Sequence, residues 1–336
     1  MTDRRRINGP PEGTTPLVFP SGSTHKSMIK RSPTTLRRIF LKTSLTPPAT
    51  GSAFLELPTP SCPSTPTLKL TTSVYGPRPL PSSTTFSPNA RLTAELKFSP
   101  FSTPGRRRGY IRDGVERDLS AQLSLALGKS VDVGKYPKSA IDVFVSVLDC
   151  EGGLGDPNDV KSSGVEVGLM SVLAAAISCA GAAIADAGIE CFDLVAGGVA
   201  GLIKKRDGEV EGDRIVADMG IGGGNDDSRR GGERDTRITL VLDPSPTEDY
   251  IILAAAAVGY MAARDELTLV WTKGSMARNC DGTDEVESLI DGAIAAATGV
   301  RLVINEAIKE RLLLGLNAVG LVRGTAGGDN GDRTVG

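Results

Sequence analysis

The stretch from Arg91 to Asp149 narrows the possible folds more than any other part of the chain. In Arg91-Leu92-Thr93-Ala94-Glu95-Leu96-Lys97-Phe98 every second residue is apolar, the pattern of a strand with one buried face. A loop, Ser99 to Gly105, ends in the cluster Arg106-Arg107-Arg108, with Arg112 just beyond. An amphipathic helix is expected from about Val115 to Leu127, because Leu119, Leu123, Ala126 and Leu127 fall on one face. Tyr136-Pro137 breaks that pattern, and Ile141, Val143, Val145 and Val147 mark a second alternating strand. Strand, basic loop, helix and strand make one βαβ-like unit with its cations at one end.

The flanks supply further elements. Residues 1–36 are basic and rich in Pro, Ser, Thr and Gly, and read as a disordered tail. Arg4, Arg5, Arg6, Lys30 and Arg31 there suit either plain solvation or a weak nuclear-import or RNA-touching role. An ordered domain is expected over 37–324, beginning near Leu36-Arg37-Arg38-Ile39-Phe40. Gly51 to Leu57 and Thr67 to Tyr75 read as a hairpin with an enlarged Pro/Ser connection, closed by Gly76-Pro77. After Asp149 an insertion at about 152–164 precedes a small-residue helix from about Val167 to Ala187, stopped at Gly188. Phe192 to Ile203 reads as a buried strand, and 204–237 as a charged, Gly-rich surface insertion. Strands at Ile238–Leu242, Ile251–Met261 and Leu267–Thr272 follow. A helix capped by Thr283 runs to about Leu314, and a flexible end covers 325–336. Strands outnumber helices and do not alternate with them regularly, which argues for a two-layer, mixed α+β domain and against a Rossmann fold or TIM barrel.

Charge is distributed unevenly. The formal net charge is −2, yet residues 1–112 hold 17 Lys/Arg against 4 Asp/Glu. Such a front half suits a polyanion or an acidic partner surface, or simply a solvated tail on an acidic body. The 5 cysteines show no paired spacing, a reduced pattern, and Cys179 reads as a core residue. The longest apolar run, Leu169 to Ile184, is too short to span a bilayer, so no membrane association is expected.

Few residues are equipped for chemistry. His25 is the only histidine and lies in the tail, which excludes a Ser-His-Asp or Cys-His machine and a histidine metal site. Gly220-Ile221-Gly222-Gly223-Gly224 is not set between a strand and a helix, so it is no dinucleotide loop. No cofactor is expected. Among the acid pairs, Asp249 is the one placed to reach a metal from a strand edge, although an acidic turn residue explains it as well. The strongest candidates are Arg106, Arg107, Arg108 and Arg112, whose guanidinium groups suit bidentate phosphate contacts, joined by Lys97 on the preceding strand. Tyr110 is placed to stack on a base. The alternative for the same loop is a solvated turn, or one docked on an acidic neighbour.

Six blocks in order carry a resemblance. Gly51-Ser52-Ala53-Phe54, Val74-Tyr75-Gly76-Pro77, Phe98-Ser99-Pro100-Phe101, Lys135-Tyr136-Pro137-Lys138, Ala185-Asp186-Ala187-Gly188-Ile189 and Phe192-Asp193-Leu194-Val195 resemble the RNase PH-type subunits of the RNA exosome over roughly residues 36–320. The resemblance implies an RNase PH-like fold, a duplicated β-α-β-α unit of the ribosomal protein S5 domain 2-like type. Active members of the family are phosphorolytic exoribonucleases. They hold phosphate with a Ser/Thr-Arg at the start of the long helix and use two aspartates after the insertion.

The chain departs from that pattern at both places. No arginine occurs from Asp118 to Lys205. Asp249 matches the first aspartate, a possible vestige, but the second falls at Ala255. Without a guanidinium to neutralise the attacking phosphate, the site reads as dead. What the resemblance then implies is a structural subunit of a six-member ring. Its expected partners are other RNase PH-like exosome subunits, S1/KH cap proteins, a hydrolytic exoribonuclease attached to the ring and single-stranded RNA threading the channel. Its expected location is the nucleus and nucleolus, and also the cytoplasm. The rival expectations are an active phosphorolytic nuclease and a free-standing RNA-binding protein.

Overall fold

The structure, a computed structural model, describes residues 31–59, 62–102, 112–150, 167–204, 238–245, 251–274 and 284–318. Among these residues, nine strands form two sheets. The first contains β1 (Phe40–Thr43), β2 (Gly51–Thr59), β3 (Cys62–Pro79), β4 (Arg91–Phe98) and β5 (Ser139–Asp149), in the order β1-β2-β3-β5-β4. The second contains β6 (Val195–Lys204), β7 (Ile238–Leu242), β8 (Ile251–Met261) and β9 (Glu266–Gly274), in the order β7-β6-β8-β9. Three α-helices join them: α1 (Gly114–Ser130), α2 (Val167–Asp186) and α3 (Asp284–Ala318).

The βαβ unit forms as its periodicity requires. β4 and β5 pair in parallel, with Leu92 opposite Ile141, Ala94 opposite Val143, Leu96 opposite Val145 and Phe98 opposite Val147. Matched rows of this kind place the apolar set of both strands on one face, where Leu96, Phe98, Ile141, Val143 and Val147 are fully buried. Each contributes about 1.5–3 kcal/mol of burial. Helix α1 lays Leu119, Leu123, Ala126 and Leu127 on this core.

The other elements differ from expectation mainly at their ends. β1 is a short strand that the alternation was too brief to reveal, and it pairs antiparallel with β2. The Pro/Ser connection of the hairpin is narrower than expected, because the ladder continues through Pro58–Pro66 to Thr59–Cys62. β3 also runs past Gly76-Pro77 to Pro79, held by β5 on its other side. β6 starts at Val195, not Phe192. The residues before it serve the end of α1 instead: Phe192 N donates to Ser130 O at 2.8 Å, and Cys191 bridges Val131. Thr283, the expected cap of α3, lies outside the described residues, and the helix extends to Ala318.

Helix α2 lies between the two sheets. It falls where expected; its 20 residues, more than the apolar run Leu169–Ile184 alone, would cross a membrane by length and composition, but the two sheets enclose it. Such close packing needs small residues on both sides. A Cβ at Gly197 would lie 2.1 Å from Ala174 O on α2, and one at Gly198 would lie 2.2 Å from Ala293 O on α3. Adjacent residues of β6 thus face different helices, so α2 and α3 flank the second sheet. Cys179, within α2, is fully buried as expected, and burial pushes its thiol up to about 12.

Contacts with the body start upstream of the first strand. Arg31 donates to Leu242 O and Asp243 O at 3.2 and 2.8 Å, and Leu242 N donates to Pro33 O at 2.8 Å. The buried Arg37 forks onto the Asp243 carboxylate at 2.8 and 2.6 Å.

Candidate functional site

Two places in this fold correspond to the residues singled out from the sequence. The first is the margin formed by β4 and α1. Lys97 is exposed between the buried Leu96 and Phe98, on the solvent side of the sheet. Arg112 meets Glu95 of the same strand in a partly exposed ion pair, so an intramolecular carboxylate competes for its charge. Arg106, Arg107, Arg108 and Tyr110 lie outside the described residues.

The two ends of the arginine-bearing loop are nevertheless placed. Glu116 is 3% exposed; its Oε1 accepts from Phe98 N at 2.9 Å and its Oε2 from Asp113 N at 3.2 Å. One carboxylate therefore ties the residue where the loop leaves β4 to the residue where α1 begins. The second contact is also half of a capping box, which satisfies backbone N–H groups at the helix start.

β4 is an edge strand of the first sheet, and α1 takes up its outward N–H groups. Ser120 Oγ accepts from Leu96 N at 2.9 Å, Ser124 Oγ accepts from Ala94 N at 3.2 Å, and Glu116 takes Phe98 N. Glu116, Ser120 and Ser124 are spaced four apart, one stripe along α1, and they engage the outward N–H groups of β4 in turn. The stripe was visible in the sequence. What it bonds to was not.

The second place is the start of α2, where active members of the family would hold phosphate. Ala255 of β8 is fully buried, opposite Gly201 of β6 and Lys273 of β9. It packs in a cluster with Val167, Met170, Ala174, Val199 and Ala257, flanked by Ile252 and Trp271. The cluster's nearest polar neighbour on the helix, Ser171, donates to Pro244 O at 3.5 Å. Residues 151–166 and Asp249 lie outside the described residues. Among the described residues no group of three or more His, Cys, Asp or Glu is gathered as metal ligands.

The blocks that carried the family resemblance sit at joints. Ser52 N donates to Asp186 Oδ2 at 3.0 Å, which ties β2 to the end of α2. Glu190 N donates to the Tyr136 hydroxyl at 3.1 Å, and Lys135 pairs with Glu190. Asp193 accepts both terminal nitrogens of Arg301 at 2.7 Å, along with the backbone N–H groups of Leu194 and Ala263. Burial pushes the Asp193 carboxyl upward, but the Arg301 and backbone hydrogen bonds outweigh it and hold the group below the usual carboxylate range. These residues hold elements together.

Comparison with known proteins gives the family. Residues 35–190 match the 3' exoribonuclease family, domain 1 (RNase PH). The chain is 38% identical to the exosome complex component MTR3 of Chaetomium thermophilum over 315 residues, 92% of this chain and 99% of that one. It is 29% identical to the exosome component mtr3 of Schizosaccharomyces pombe, with 92% and 96% covered, and 31% identical to human MTR3, with 58% and 66% covered. The rice Rrp46 structure superposes with a TM-score of 0.54 at 18% identity, over 83% of this chain and 98% of that one, a likeness of fold. With the two-sheet fold and the motif joints in place, this chain belongs to the RNase PH-type exosome ring components, in the line of the MTR3 proteins.

Proposed function

We propose that this chain is a structural, non-catalytic member of its exosome ring, supporting 3'-to-5' RNA processing and degradation by helping to form the channel through which RNA is threaded. The observation that carries the reading is the apolar filling at the start of α2. Phosphorolysis needs an anion site there and carboxylates close by. Instead Ala255 is packed among Val167, Met170, Ala174 and Val199, and no arginine occurs from Asp118 to Lys205. Bringing phosphate against such a cluster would strip its hydration against apolar side chains.

In this reading Arg106, Arg107 and Arg108, with Lys97 beside them, attract the RNA backbone, and Glu116 fixes the ends of their loop. Neighbouring RNase PH-like subunits, S1/KH cap proteins and an attached hydrolytic exoribonuclease complete the assembly, in the nucleus, the nucleolus and the cytoplasm. Two measurements test it. Native mass spectrometry of the protein from its own cells should find one copy in a large complex of many different proteins. The purified chain, given single-stranded RNA and inorganic phosphate, should release no nucleoside diphosphates. A homo-hexamer, or phosphate-dependent shortening of RNA, would overturn the proposal.

A further inference from the structure

The five-stranded sheet has one face against α2 and one that no described helix covers. The covered face carries the core residues Ala53, Leu55, Leu70, Val74, Val143 and Val145. Strand alternation puts the other set outward, and the register aligns it in rows. One row crosses all five strands: Lys42, Phe54, Thr71, Ser146, Lys97. Lysines end it on both sides, with a ring and two hydroxyls between.

Two positions along β5 from Ser146, Phe144 stands 39% exposed. Its ring meets that of Tyr75 edge-on, with centroids 5.9 Å apart and planes 64° apart. The Arg78 guanidinium lies 5.7 Å over the Tyr75 ring and pairs with Asp142, which also accepts from Thr93. The acidic groups near the rings are thus matched: Asp142 by Arg78, and Glu95 by Arg112.

We propose that this open face is a stacking platform for single-stranded RNA, distinct from the arginine loop. The proposal rests on the reading of the chain as an RNA-handling subunit. Unstacked bases gain about 1–3 kcal/mol each on an aromatic ring, regardless of sequence. Phe144 and Tyr75 offer two adjacent rings, Lys97 flanks them with positive charge, and the hydroxyls suit 2'-OH and phosphate oxygens. The same pattern fits a protein partner poorly, because Thr71 and Ser73 stand between Phe54 and the Phe144–Tyr75 pair and break up the apolar area. Lys97 also stands near the end of β4.

The test is binding of a fluorescent oligouridylate to the full-length chain, followed by anisotropy, with ultraviolet crosslinking of the same RNA to the chain and to the reconstituted ring. Phe144→Ala should weaken binding about fivefold to a hundredfold, and Phe144→Leu should weaken it as much, since Leu keeps the bulk and loses the π face. Thermal melting of both variants should match the parent. Crosslinks should map to the peptides holding Phe144 and Tyr75, in the chain and in the ring. Unchanged affinity in both Phe144 variants, with crosslinks confined to 103–111, would overturn the platform and leave the RNA-handling reading standing. Wild-type binding by Phe144→Leu, together with loss of ring incorporation by Phe144→Ala, would also overturn it and make the face a protein contact. Absence of RNA contact in chain and ring alike would overturn both readings.

Discussion

Helix α1 meets the edge of its sheet with a stripe of three polar side chains, whereas α2 meets its sheets mostly with apolar groups and close backbone, Ser178 taking Gly197 N at 2.9 Å as the exception. Along β4, Glu116, Ser120 and Ser124 bond to Phe98, Leu96 and Ala94 in turn. Along β6, Ala174 of α2 approaches Gly197 so closely that even a methyl group finds no room. A polar junction fixes the register and end of a strand, and so holds a loop at a set place on the surface. A glycine-alanine junction excludes solvent and leaves no room for an ion. The charged margin and the sealed interior belong to one chain because the two helices are attached by different chemistry.

The sealed junction should be the more fragile. Gly197→Val forces β6 and α2 apart and should cost about 3 kcal/mol or more, seen as a large drop in the urea midpoint or as failure to accumulate folded protein. A near-parental midpoint would mean that α2 can slide on the sheet, and the apolar filling around Ala255 would lose its force as an argument.

Next in size is the pair that ties the N-terminal segment to the turn after β7. Arg37→Ala removes the buried guanidinium that forks onto the largely enclosed Asp243 carboxylate and should cost about 3 kcal/mol. Burial pushes the Asp243 carboxyl upward, but Arg37 outweighs it and holds the group below the usual range. A depressed carboxylate contributes stability above its unfolded pKa, about 4, and loses it as pH falls through the folded value. The parent should therefore lose stability steeply below about pH 4, and the Arg37→Ala protein less steeply. Parallel pH profiles would remove this pair from the acid response.

The polar junction should yield smaller effects with a local signature. Glu116→Gln keeps one acceptor of two and should cost about 1–2 kcal/mol, while trypsin cleavage within 103–111 speeds up. An unchanged cleavage rate would show that the carboxylate does not hold the loop ends. Ser124→Ala should cost least, about 1 kcal/mol, with faster amide exchange at Ala94 and no change at Leu96. Equal exchange at both would mean that the stripe acts as a unit, not as separate bonds.

Much of the fold was legible because alternation and small-residue runs report burial directly. β7 and β8 fall where their apolar runs lie, and the β4–α1–β5 unit follows from periodicity alone. Strand ends were less legible. Nothing local tells β3 to continue past Gly76-Pro77, since its hydrogen bonds there go to Ala140 and Ser139 on β5. Phe192 looked like strand because it is apolar, yet its N–H is taken by Ser130 at the end of α1. In the candidate site, the arginines and Lys97 could be named from charge and spacing. Glu116 could not, because an acidic residue in a first helical turn reads as an ordinary cap until both strand and helix are in place.

The sequence by itself determined which residues are apolar, which faces they share and where the cations cluster. These are properties of composition and spacing, and they hold whatever the neighbours are. Only the tertiary structure decided that Ala255 is enclosed by the start of α2, that α1 closes the edge of β4, and that Phe144 and Tyr75 stand together on an open face. Each of those facts joins segments far apart in the chain, and side-chain environment is set by what arrives from elsewhere.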